Sequence, residues 1–103
     1  MTLQALHKTL KSRPFKSTND RGQNFTFSFT HAHIFRDGEH ISDYDLEEQN
    51  GHLYIKLCNI KRSMWTGDFK NVLLVSDDDK ELLNYDEKDL QVKGRIDITL
   101  VGQ

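Results

Sequence analysis

The sequence predicts a mainly β domain with a short N-terminal helix or arm. Residues 25–30 alternate phenylalanine with serine or threonine, the period of two that is typical of a half-buried strand. Further short apolar or alternating runs follow, separated by turn-forming pairs of residues. Helical spacing of apolar residues occurs clearly only near the start of the chain. Several short strands and one helix favour a mainly β fold.

The composition indicates a small globular domain. The chain has 103 residues, the size of one domain, and its ten aromatic residues favour a packed core over disorder. No apolar run approaches the roughly 18 residues that a membrane helix needs. Cys58 is the sole cysteine, which excludes an internal disulfide and a four-cysteine zinc module. We therefore expect a cytoplasmic protein without a membrane partner.

The first residues predict a helix followed by a linker. Leu3, Leu6 and Leu10 have helical spacing, and Pro14 disfavours helical geometry at the residue before it. Residues 16–24 are polar and have the composition of a loop. We therefore predict a helix or arm and linker over 1–23, and the β domain over 24–103.

The remaining strands are marked by turns. Asp37-Gly38 and Asn50-Gly51 are turn-forming pairs, and the second leads into an alternating run over residues 53–57. An apolar run at 72–75 and an alternating run at 96–100 predict two further strands.

Charge is unevenly distributed along the chain. Residues 1–21 carry five basic groups and one acidic group, whereas the remainder carries nine basic and fifteen acidic groups. An acidic body is a poor match to a duplex-binding domain, so we expect no direct binding of duplex DNA. Residues 77–89 hold seven acids and two lysines. This stretch predicts an electronegative surface for a basic protein partner, with the candidate partner-binding residues Asp77, Asp78, Asp79 and Glu81.

Metal ligands and other cofactors are not predicted. The acids at 77–79 are consecutive and lack the glycine turn of a calcium loop. His31 and His33 share one face of a possible strand, while His40 and His52 lie elsewhere in the sequence. Two imidazoles fall short of the three or four ligands of a zinc site.

Five segments, at residues 30–39, 50–55, 60–62, 72–78 and 92–96, together resemble the LexA-like peptidases, which include self-cleaving phage repressors. Residues 30–39 resemble that family's Ser-Met-x-Pro-x-Phe-x-Asp-Gly-Asp segment, and residues 50–55 its Gly-Gly-x-Tyr-Val strand. Residues 60–62 resemble its Val-Lys-Arg, residues 72–78 its Leu-x-Leu-Ile-Ser-Asp-Asn, and residues 92–96 its Ile-x-Gly-Arg-Val. The resemblance covers about residues 25–101 and implies a LexA-like β fold that forms a homodimer.

The resemblance places the family's nucleophilic serine at Thr30 and its general-base lysine at Lys61. The extra methyl group of threonine restricts its rotamers and crowds an attack trajectory. His31 and His33 stand where the family has methionine and proline, and the usual cleavage bond has no equivalent upstream. The resemblance therefore implies the fold with vestigial catalytic residues. A rival alignment uses Ser63 as the nucleophile and Lys93 as the base.

These observations leave three functional hypotheses open. The first is a catalytically degenerate interaction module that pairs with a LexA-like repressor or SOS-type protein and regulates it. The second is an acidic inhibitor, such as an immunity or anti-defence protein, that covers a basic nuclease. The third is an active Thr/Ser-Lys peptidase. Trp65, in a glycine-containing loop, is a candidate anchor at a protein interface.

Overall fold

A computed structural model describes residues 1–18, 21–61 and 72–100, and in these ranges one helix precedes eight strands. Helix α1 spans Leu3–Ser12. The strands are β1 (Phe15–Thr18), β2 (Asn24–Phe29), β3 (His33–Arg36), β4 (Glu39–Gln49), β5 (His52–Cys58), β6 (Val72–Val75), β7 (Glu81–Asp86) and β8 (Gln91–Thr99). The prediction of a mainly β fold with a short N-terminal helix is confirmed. No helix within the described ranges is long and apolar enough to cross a membrane.

The strands form one antiparallel sheet in which each strand pairs with the next along the chain. The sheet curls, so that β1 and β8, at opposite ends of the strand order, approach each other. Arg13, at the end of α1, contacts both: its guanidinium lies over the Phe15 ring of β1, 4.5 Å from the centroid, and its Nη2 donates to the carbonyl oxygens of Thr99 (3.3 Å) and Leu100 (3.0 Å). Buried side chains of the strands form one apolar cluster.

Helix α1 contributes to the same core. Thr2 caps its N-terminus, because the Thr2 Oγ1 accepts a hydrogen bond from the Ala5 amide at 3.0 Å. Arg13 has extended geometry, as expected before Pro14, and ends the helix. Leu6 and Leu10 are fully buried, and α1 packs against β2 and β4. The predicted helix is confirmed.

Two tight turns fix the register of the central strands. Asp37 and Gly38 have φ of 50° and 85°, and Asn50 and Gly51 have φ of 52° and 81°. Two consecutive residues with positive φ are the requirement of the hairpin turn that matches strand twist. Both turns were predicted from the sequence, and they set the pairings Arg36↔Glu39 and Gln49↔His52.

Strands β1, β4 and β7 were not predicted, and β3 was expected only as the possible strand that carries His31 and His33. The loop prediction over residues 16–24 is wrong for 16–18, which lie in β1, where Phe15 and Ser17 are buried and Phe15 pairs with Phe27. The polar composition of residues 16–18 therefore reflects the exposed face of a strand and not a linker. Strand β1 precedes the domain boundary predicted near residue 24, yet it pairs with β2 and so belongs to the same sheet as the strands after that boundary.

Three aromatic rings pack together in the core near the start of β3. Phe29 meets Phe15 and Tyr44 edge to face, with ring centroids 6.1 Å and 5.6 Å apart. The Tyr44 hydroxyl donates to the Thr30 carbonyl oxygen at 2.5 Å. The core thereby holds the turn at Thr30 in a fixed position.

Burial also makes Tyr44 resist ionisation. Desolvation raises the pKa of Tyr44 to about 12 from its ordinary 10.0. Because the folded-state pKa is the higher one, the stability contribution is complete below pH 10 and is lost as the pH rises towards 12. Burial and the neighbouring Tyr85 raise the pKa of Tyr54 as well. We expect the latest step of an ultraviolet absorbance titration, near pH 12, to belong to Tyr44 and to be removed by Tyr44→Phe. Tyr85→Phe is the control that should retain it. Loss of the late step with Tyr85→Phe instead would contradict this assignment.

Candidate functional site

Thr30, the candidate nucleophile, is part of a turn between β2 and β3. Its amide donates to the His33 carbonyl oxygen at 2.9 Å, and the His33 amide donates back to Thr30 Oγ1 at 3.2 Å. The Thr30 side chain is exposed. The hydroxyl oxygen therefore serves to close a turn.

Lys61, the candidate base, lies just after β5, and its amide donates to the Ile41 carbonyl oxygen at 2.8 Å. A lysine acts as a general base when burial lowers its pKa and keeps the amine neutral. Lys61 is instead exposed to solvent. Within the described residues, burial of this kind is not seen at Lys61.

The rival alignment pairs Ser63 with Lys93, and Trp65 is the candidate interface anchor. Ser63 and Trp65 lie outside the described residues. Lys93 Nζ lies 2.9 Å from the Asp89 carboxylate, and this contact raises the pKa of Lys93. A general base needs the opposite shift.

Two histidines and an aspartate meet on the outward face of β3 and β4. His33 Nδ1 lies 2.5 Å and His40 Nε2 lies 2.8 Å from the same oxygen, Asp43 Oδ1. The two imidazole rings stand edge to face, with centroids 4.7 Å apart. Asn59 Nδ2 donates to the other carboxylate oxygen, Asp43 Oδ2, at 3.0 Å. We call these four residues the histidine–aspartate cluster.

A β-bulge assembles the histidine–aspartate cluster. The hairpin pairs Phe35 with His40, but the register shifts so that Ile34 pairs with Ser42 and His33 with Asp43. In a regular strand, residues three apart point to opposite faces. Here Ile41 and Ser42 are both buried, and the extra residue turns Asp43 to the same outward face as His40.

The neighbours of Asp43 stabilise its charged form. The Asn59 amide, followed by the His33 and His40 rings, holds the pKa of Asp43 well below its usual range through side-chain hydrogen bonds. The carboxylate therefore stays ionised throughout the physiological range. From the sequence, His33 was considered as a zinc ligand, but the association of His40 with Asp43 was not predicted.

Two of the predicted acidic residues serve the local structure. The Asp78 carboxylate accepts from the Ser76 hydroxyl at 2.6 Å and from the Lys80 amide at 3.1 Å, which lowers the pKa of Asp78 and fixes the β6–β7 turn. Glu81 forms an ion pair with Arg95 of β8. Both carboxylates thus have partners within this chain.

The other two predicted residues line a cleft of about 210 Å³ between the Gly51 turn and the β6–β7 turn. The Asp77 side chain is 96% exposed, and its Oδ1 lies 3.9 Å from His52 Nδ1. Asp79 Oδ2 lies 3.1 Å from the amino group of Met1. We call the surface formed by Met1, His52, Asp77 and Asp79 the acidic cleft.

No family model, no curated protein and no solved structure matches this chain.

Proposed function

We propose that this chain is a protein-binding module whose acidic cleft receives a basic side chain of a partner protein. The observation that carries the proposal is the placement of Asp77, almost fully exposed, in the same cleft as Asp79. A cleft lined by two carboxylates offers two acceptors for the charged end of a lysine or arginine side chain.

The contacts of the cleft support this occupant. The ammonium group of Met1 already lies within 3.1 Å of Asp79, a distance suited to a charge-assisted hydrogen bond. Among the described residues, the contact of Asp77 is the long one to His52 at 3.9 Å, so its carboxylate can turn towards an incoming cation. One carboxylate is thus engaged by a cation, and the other is exposed beside it.

The charge of the rest of the chain supports the same kind of partner. Residues 22–103 carry six more acidic than basic groups. A surface of one sign raises the rate of encounter with a partner of the opposite sign, and the effect weakens as salt is added. We infer an inhibitor-like protein of the cytoplasm that covers a basic surface, such as that of a nuclease or toxin.

The surroundings of Thr30 and Lys61 favour binding over peptidase chemistry. Thr30 Oγ1 accepts from the backbone of its own turn, and Lys61 is exposed rather than buried. Neither feature activates a nucleophile. The resemblance to LexA-like peptidases therefore plays no part in this proposal.

The test compares proteins captured from native host lysate by three forms of the tagged chain. The cleft variant carries Asp77→Asn and Asp79→Asn, and the matched control carries Glu39→Gln and Asp45→Asn, which remove the same charge from β4. We expect a basic protein that the wild type and the control retain, that the cleft variant loses, and that is released by added salt. Equal capture by all three forms, or capture of acidic proteins alone, would contradict the proposal.

A second candidate is pairing with a LexA-like repressor or SOS-type protein, or with a second copy of this chain. It is favoured by two exposed apolar side chains, Leu90 in the β7–β8 turn (74% exposed) and Val92 near the start of β8 (47% exposed). Apolar contacts are much less sensitive to salt than ion pairs. A partner that resists salt and is lost with Leu90→Ser would favour this candidate over the acidic cleft.

A further inference from the structure

The histidine–aspartate cluster combines donor atoms that suit a transition metal. The candidate ligand atoms of His33, His40 and Asp43 all lie within 4.8 Å of one another. Two imidazole nitrogens and a carboxylate oxygen form a common three-ligand zinc set, with the fourth position left to water or another molecule. This arrangement departs from our sequence-based expectation of no metal, because the third ligand comes from a residue that the bulge reorients.

The contacts now present are hydrogen bonds that a metal ion would replace. Asp43 Oδ1 accepts from both rings, at 2.5 Å and 2.8 Å. Ligand atoms of a tetrahedral zinc ion stand roughly 3.3 Å apart, since each lies about 2.0–2.1 Å from the metal. Each imidazole nitrogen must therefore move away from Asp43 Oδ1 by several tenths of an ångström. His33 is half exposed, and His40 and Asp43 are about one quarter exposed, so such a movement is not blocked by close packing.

The surroundings of the cluster orient its ligands. Asn59 Nδ2 holds Asp43 Oδ2 at 3.0 Å and leaves Oδ1 directed at the histidines. Such a hydrogen bond to the ligand carboxylate is a usual feature of protein metal sites. The Phe35 ring lies 5.3 Å from the His40 ring and limits its movement on that side. The carboxylate is ionised and both imidazoles have one nitrogen aimed at a common point.

We propose that His33, His40 and Asp43 bind a zinc ion through His33 Nδ1, His40 Nε2 and an Asp43 carboxylate oxygen. The ion displaces the protons shared with the carboxylate and leaves an open position towards solvent. The proposal is independent of the acidic cleft, which is formed by different strands and turns.

The test is a titration of the purified full chain with Zn²⁺ alone, in competition with a chromophoric chelator near pH 7.5. We expect one ion per chain, and a loss of affinity of at least tenfold in His40→Gln and in Asp43→Asn. His31→Gln is the matched control, since His31 is an exposed histidine of the adjoining turn outside the cluster, and it should leave the affinity unchanged.

A second measurement keeps the test valid if a variant fails to fold. In the wild-type protein, Zn²⁺ should shift the ring NMR signals of His33 and His40 and leave those of His7 and His52 in place. Millimolar affinity, equal losses in His31→Gln and His40→Gln, or shifts spread over all five histidines would overturn the proposal.

Discussion

Replacing Phe29 with alanine is expected to lower the free energy of unfolding by about 3–5 kcal/mol, the usual cost of removing a buried phenylalanine side chain. Phe29 is buried and meets the rings of Phe15 and Tyr44 edge to face. Its removal leaves a cavity between three elements that the surrounding backbone cannot fill. In a domain of this size the midpoint of thermal unfolding should fall by more than about 12 °C.

Phe25→Ala is the matched control for Phe29→Ala, because it removes the same side chain from the same strand. Phe25 is only partly buried, and the Arg36 guanidinium lies over its ring, 4.5 Å from the ring centroid. Urea unfolding followed by circular dichroism should give a clearly smaller loss for Phe25→Ala than for Phe29→Ala. Equal losses would contradict the placement of Phe29 at the centre of the core.

Replacing Leu10 with alanine is expected to lower the free energy of unfolding by about 2–5 kcal/mol, although Leu10 lies in the segment predicted to be a helix or arm outside the β domain. Leu10 is fully buried in α1, and the helix packs on β2 and β4. Alanine is the best helix former, so the loss reports the missing packing rather than a weakened helix.

Lys8→Ala is the control for Leu10→Ala, since Lys8 is exposed on the same helix. It should change the free energy of unfolding by less than about 0.5 kcal/mol. A Leu10→Ala variant as stable as Lys8→Ala would mean that α1 is not part of the core in solution. The same urea unfolding measurement decides between these outcomes.

Local chemistry in the sequence was sufficient to predict the turns and the amphipathic strands. Asp37-Gly38 and Asn50-Gly51 indicate hairpins because few residues accept positive φ at two consecutive positions. Strand β1 escaped prediction because half of its short sequence faces solvent, and only its pairing with β2 makes it a strand. Strand pairing of this kind is only weakly reflected in the local amino-acid composition.

The candidate site was predictable only in part, for a similar reason. The Asp37-Gly38 turn alone implies that Phe35 opposes His40, and therefore that His33 and His40 share a face. The position of Asp43 depends on the bulge that pairs it with His33. Consecutive buried residues at Ile41 and Ser42 are consistent with a bulge, but a polar serine gives no signal that it is buried.

The acidic stretch was predicted as one electronegative surface, whereas the structure divides it into separate roles. Asp78 fixes a turn through Ser76, and Glu81 pairs with Arg95 on the next strand. Asp77 and Asp79 line the acidic cleft. Charge counted along the sequence cannot separate carboxylates that have internal partners from those that face solvent.

The most direct test of the binding role places a photo-crosslinking residue at Lys80 or, in a second form, at Lys88. Lys80 is exposed next to the acidic cleft, and Lys88 is exposed in the β7–β8 turn near Leu90. In host cells we expect a covalent adduct with a basic protein from position 80, no such adduct from position 88, and loss of the adduct when Asp77→Asn and Asp79→Asn are added. An adduct from position 88 alone, or one from position 80 that survives both cleft substitutions, would contradict the assignment of the acidic cleft as the binding site.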